Sequence, residues 1–275
     1  VRARRQTWRC VALGLGLSGA GQAAREARAS DAEPPVDPAP PSSRKYTPYV
    51  DRGMSLPAPY AYGTLGVAAN VRIGVPTQLE WTLGGGVGLG PRVWIDGAVG
   101  TLRVVPELVF HSAQIGPNML IVDTPPFELS ATVHVSAPAD DGRPIEQIEP
   151  GLYGVARYGH ALRVDAGLFF DLNPGPKVTT GIRVPASFAF QLAEHVHAVV
   201  TTGVTTTSFA EAGRTTALPA GLTLGWSDYL HPTGPQSIGL LASLSFPELV
   251  KPWAPETFRP GYFIFGITFV YVTKS

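Results

Sequence analysis

Between Gly261 and Val272 the chain alternates with a period of two, and its two parities differ in size. One parity carries Phe263, Phe265, Ile267, Phe269 and Tyr271; the other carries Tyr262, Ile264, Gly266, Thr268 and Val270. Successive side chains of a strand point to opposite faces, so one face of this segment is almost wholly aromatic. A soluble domain rarely leaves such a face on its terminal strand. A strand whose outer face is solvated by lipid, with aromatic girdles at both interfaces, requires it.

The same period recurs from Tyr60 onward. In Thr77–Leu89, the residues Leu79, Trp81, Leu83, Val87 and Leu89 oppose Gln78, Glu80, Thr82, Gly84 and Gly86. Phe127, Leu129, Ala131, Val133 and Val135 oppose Glu128, Ser130, Thr132, His134 and Ser136. Leu162, Val164, Ala166, Leu168, Phe170 and Leu172 oppose Arg163, Asp165, Gly167, Phe169 and Asp171. These runs exceed the five or six residues usual in a globular sheet. They match the roughly nine to eleven that a tilted strand needs to cross a bilayer. The pattern predicts about twelve strands, near 60–73, 77–89, 92–103, 106–113, 127–137, 146–158, 160–172, 177–192, 195–208, 218–229, 236–246 and 261–272. Ten is the other even count open to it. The expected fold is all-β, an antiparallel up-and-down transmembrane β-barrel. A secreted soluble β-sandwich is the competing architecture, and the strand lengths and aromatic terminal face weigh against it.

Composition divides the chain in three. Residues 1–29 begin with Arg2, Arg4, Arg5 and Arg9, continue through the apolar run Cys10–Ala20, and end in small residues. That is the order of a Sec-type signal peptide, too short in its apolar part to anchor in a membrane. Residues 30–59 read as a Pro-rich periplasmic linker, extended and solvated. Residues 60–272 are the barrel. Of 21 basic and 21 acidic residues, six Arg and one Glu lie in 1–29, leaving 15 against 20, a net charge of −5. This excludes a strongly basic nucleic-acid footprint. Cys10 is the one cysteine, so the chain beyond the leader has neither a disulfide framework nor a thiolate metal site.

Link lengths give an orientation. Gly90–Pro91, Gly159 and Ala193–Glu194 are tight links, whereas Pro138–Ile145 and Pro247–Pro260 are longer and more polar. Short turns face the periplasm in such barrels, so both termini are expected there. The link Gln114–Pro126 breaks this rule and is expected to be a loop able to fold into the lumen.

Inward parity places Glu80, Asp96, Glu107, Glu128, Glu149, Asp165 and Asp171 in the lumen, together with Arg72, Arg157, Arg163, Lys177 and Arg183. Opposed charges across a pore orient polar solutes, and a barrel interior needs paired polar groups in any case. Arg157, Arg163 and Asp165, on strands joined through Gly159, are expected to form one network. Glu194, His195 and His197 supply too few ligands for a metal unless His111 or His134 joins them. The glycine run Gly84–Gly90 lacks the spacing and the following helix of a dinucleotide site. No cofactor is implied.

The Gly266-x-x-Phe269-x-Tyr271 spacing resembles the C-terminal signal of Gram-negative outer-membrane β-barrel proteins, which the barrel-assembly machinery reads in that family. Residues 51–272, with Ser55-Leu56-Pro57 and the Leu162–Leu168 strand, look like a broad porin-like group of twelve-stranded outer-membrane barrels. The resemblance implies an outer-membrane location, lipid and the assembly machinery as partners, and small polar solutes as cargo. Outer-membrane phospholipase A, a twelve-stranded enzyme family, carries a Ser/His site on its exterior. Here no Ser stands beside a His on an outward face, and no Gly-x-Ser-x-Gly elbow occurs. The functional expectation is a narrow porin-like channel without catalytic residues. A plugged structural or assembly barrel is the alternative, with an outer-membrane enzyme behind it.

Overall fold

A computed structural model describes residues 48–274 apart from 57, 104–108, 111, 125, 139–144, 176–177, 230–235 and 256. The leader and most of the linker therefore lie outside the described residues, as do His111, Glu107 and Lys177. The described strands are β1 (Tyr60–Arg72), β2 (Val75–Gly88), β3 (Val93–Arg103), β4 (Val109–Phe110), β5 (Ser112–Thr124), β6 (Phe127–Pro138) and β7 (Gln147–Tyr158). They continue as β8 (Leu162–Asn173), β9 (Thr179–Ala193), β10 (Val196–Thr206), β11 (Thr216–Tyr229), β12 (Ser237–Val250) and β13 (Tyr262–Lys274). The two-residue β4 extends the stave begun by β5, so the wall has twelve staves.

Each stave pairs antiparallel with its sequence neighbours. The first and last close the ring, in register from Tyr60 opposite Lys274 to Arg72 opposite Tyr262. No edge is left along this seam, and a closed sheet alone can satisfy every backbone group within a bilayer. The ends of the staves match the link chemistry. Glu194 and His195 suffice between β9 and β10, while 207–215 and 251–261 span longer gaps at the end remote from the start of β1. The β1–β2 turn, Ile73–Gly74, is tight although it lies at that remote end. Gly74 adopts φ 79°, which a residue with a β-carbon takes up at a cost.

One expected boundary is wrong. The fourth stave is not 106–113 followed by a loop. Gln114–Thr124, expected as a lumenal loop, is strand, paired with β3 from Gln114 opposite Ala98 to Met119 opposite Val93. Pro117 and Gly116 interrupt the apolar run and disguise it. Pro117 lies opposite Ile95 on β3, and the β6 pairing steps from Ile115 to Asn118 across it. A proline contributes no N–H, so the ladder tolerates it where that donor is not needed.

Burial is inverted relative to a soluble domain. Leu65, Trp81, Leu83, Ile115, Leu152, Phe190, Leu224, Trp226, Phe265, Ile267 and Phe269 are exposed on the outer face. Asp96, Glu128, Glu149, Arg163, Asp165 and Thr223 are buried on the inner one. Charged side chains are seldom buried unless paired, and contiguous apolar exteriors are seldom left to water.

Candidate functional site: the barrel lumen

At the end where β1 begins and β13 finishes, the lumen is crossed by the chain itself. Pro48–Leu56 contains one turn of 3-10 helix, Tyr49–Asp51, and continues to β1 without joining the sheet. Val50 is 0 % and Leu56 2 % exposed. Met54 and Leu56 pack with Tyr60, Tyr62, Trp94, Leu120, Val155 and Val272, which come from β1, β3, β5, β7 and β13. Tyr49 and Val50 pack with Ala189 and Val199 on β9 and β10.

Polar contacts complete the ring. The Arg157 and Arg163 guanidiniums both donate to the backbone oxygen of Arg52, at 2.8 and 3.0 Å. Met54 N–H donates to Glu128 Oε2 at 2.6 Å, and Arg157 pairs with the same carboxylate at 3.2 Å. The Arg52 guanidinium reaches Ser227 Oγ on β11 at 2.7 Å. Arg163, fully buried, also donates from Nε to Asp165 Oδ1 at 2.6 Å. The Tyr49 ring lies flat on His197, with centroids 3.9 Å apart and planes 4° apart. That imidazole rests against the wall because residue 225 is glycine; a β-carbon there would overlap it.

Toward the opposite end the charges engage one another. Arg183 pairs with Glu149 and stacks 4.7 Å over the Phe169 ring. Gln147 donates to Asp171 at 2.8 Å. His134 Nε2 lies 2.7 Å from Asp96 Oδ1, and its Nδ1 lies 3.1 Å from Thr132 Oγ1. A carboxylate only accepts, so Nε2 carries a proton, and Nδ1 also lies 4.0 Å from Glu149 Oε1. At the far rim Arg72 approaches Glu248 to 4.0 Å, and Lys251 pairs with Glu248 at 2.7 Å.

The inner-face residues singled out in the sequence thus fall into two groups. Glu128, Arg157, Arg163 and Asp165 surround the crossing segment. Asp171 and Arg183 lie toward the opposite end with Glu149, and Asp96, in register with Gly86 and so level with Tyr62, is joined to them through His134. Glu80, half-buried on β2, sits opposite Ala68 and Arg103. Gly266 lies inside the sheet opposite Ala68, while Phe269 is exposed on the outer face opposite Leu65; Tyr271 shares the Phe269 parity. His195 and His197 do not converge: His195 Nδ1 donates to the backbone oxygen of Ser227, 3.1 Å away, and His197 lies under Tyr49. Among the described residues no group of three or more His, Cys, Asp or Glu side chains is arranged to hold a metal ion. Sequence reasoning missed Pro48–Leu56. The available signal was the return of Tyr49, Val50, Met54 and Leu56 after the Pro-rich stretch.

No family model matches the sequence, and no curated protein matches it. Solved structures do. The NanC porin is 10% identical, with a TM-score of 0.56 over 77% of this chain and 99% of that one. The KdgM porin is 7% identical, with a TM-score of 0.51 over 76% of this chain and 98% of that one. The fold is that of outer-membrane porins. At such identities the likeness concerns the path of the backbone, and side-chain roles come from this chain alone.

Proposed function

We propose that the protein is an integral outer-membrane β-barrel, with its termini in the periplasm, providing a narrow passage for small polar solutes. The observation that carries this reading is the inverted burial. An apolar exterior is matched to lipid, and an interior of opposed charges is matched to water and hydrated solutes. Arg183 and Glu149, Asp96 and His134 lie on the path of such a solute and set a transverse field along it. Carboxylates and guanidiniums share this lining, so the field favours dipolar or zwitterionic solutes over a single sign of ion.

Planar-bilayer conductance tests the reading on two folded forms, the native barrel and one lacking Pro48–Leu56. Heat-modifiable gel migration verifies folding in each. Discrete current steps from either form support a passage. Two folded, inserted and silent barrels overturn it.

A further inference from the structure

We infer that the terminus-side mouth of the lumen is a binding site for an extended peptide, and that the chain's own Pro48–Leu56 occupies it as a removable plug. This rests on the passage proposed above. The segment is contacted from nearly all sides of the wall: by β1, β3, β5, β7 and β13 through Met54 and Leu56, by β9 and β10 through Tyr49 and Val50. Contacts from β6, β8 and β11 follow through Glu128, Arg163 and Ser227. Every one of these wall residues lies within the turn or two of pleat nearest the termini, so the segment forms a transverse partition rather than a lining.

The recognition is that of a peptide main chain. Two guanidiniums converge on one carbonyl oxygen, and one carboxylate accepts from an N–H two residues later. Charge-assisted bonds of this kind are the stronger ones. Side-chain selection comes from the Tyr49–His197 stack and the apolar pocket around Met54 and Leu56. Among the described residues no strand pairing involves Pro48–Leu56, so the segment can leave without breaking one.

Its hold is also incomplete. Arg163 Nη2, Arg157 Nε, Trp94 Nε1 and both His197 ring nitrogens are buried without a protein hydrogen-bond partner among the described residues. Buried polar atoms without a protein partner cost free energy unless water reaches them, and an emptied mouth would admit it. The same site therefore holds the segment and favours its exchange with water.

The test compares bilayer currents of the native barrel with those of the variant lacking Pro48–Leu56, then adds the free peptide of residues 48–56. The expected result is brief or absent openings for the native form and sustained, larger steps for the variant. The added peptide should block those steps in a concentration-dependent way, and a peptide with Tyr49→Ala and Met54→Ala should not. Equal steps and open times in native and variant would overturn the plug while leaving the passage intact. Silence of both folded forms would overturn the passage and the plug with it. Sustained steps indifferent to the native peptide would overturn the binding site.

Discussion

At the mouth where β1 begins and β13 finishes, buried charges turn toward a piece of backbone; farther along the lumen they turn toward each other. Arg163 serves both Asp165 and the Arg52 carbonyl, whereas Arg183 pairs with Glu149 and stacks on the Phe169 ring. The difference teaches how a barrel of intermediate width can be filled. Side chains on facing walls bridge part of the cross-section, and a length of chain is needed where they do not meet. The first arrangement makes closure a property of nine residues outside the sheet. The second makes it a property of the wall.

The comparison is broken most severely at its two central cations. Arg163→Ala leaves Asp165 buried without its partner, an expected loss of about 3–5 kcal/mol, read as a lower urea midpoint for the folded barrel. It should also expose the Arg52–Gly53 bond to trypsin. Arg183→Ala should lower the midpoint by less, since His134 remains within 4.0 Å of Glu149, yet leave that bond shielded. Equal cleavage in the two variants would show that the halves are not independent.

The outer face provides the control, because it belongs to neither half. Ile267→Arg should impair insertion by roughly 2–4 kcal/mol if the residue lies near the bilayer midplane. Thr268→Arg, on the inner face, should be tolerated far better, and equal damage would contradict the facing of β13. In the Ile267→Arg molecules that do fold, trypsin should find Arg52 as protected as in the native form.

Smaller changes sharpen the picture at the mouth. Glu128→Gln removes the charge that accepts from Met54 N–H and pairs with Arg157, an expected loss of about 1.5–3 kcal/mol in the grip on the segment. Cleavage at Arg52 should accelerate about tenfold for each 1.4 kcal/mol lost. Val50→Ala deletes two buried methyl-sized groups, about 1–2 kcal/mol at 0.8 kcal/mol for each. Its effect on cleavage should be correspondingly modest, with no change in the urea midpoint.

Much of the wall was legible in the sequence because strand periodicity is local. Leu162–Leu172 alternates cleanly, and its Arg163, Asp165 and Asp171 share one face for that reason alone. Where Pro117 interrupts the apolar run, local reading misplaced a whole stave, since its strand character depends on β3 and β6 beside it. The plug was less legible still. Tyr49, Val50, Met54 and Leu56 follow no strand or helix period, and their burial is dictated by a wall assembled from residues up to 218 positions later, as Val272 is from Met54. The division of the inner charges into two groups follows from the register of neighbouring staves, which no single segment encodes.

One face of this wall meets lipid while the other encloses a polar, partly sealed lumen. Two tryptophans test it most directly. Trp81 is exposed on the outer face and Trp94 is buried within. Single-tryptophan variants retaining one or the other, reconstituted in vesicles whose acyl chains carry bromine, should differ in fluorescence. The account predicts strong quenching of Trp81 and weak quenching of Trp94. Equal quenching of both, or none at Trp81 in a folded and inserted protein, would contradict it.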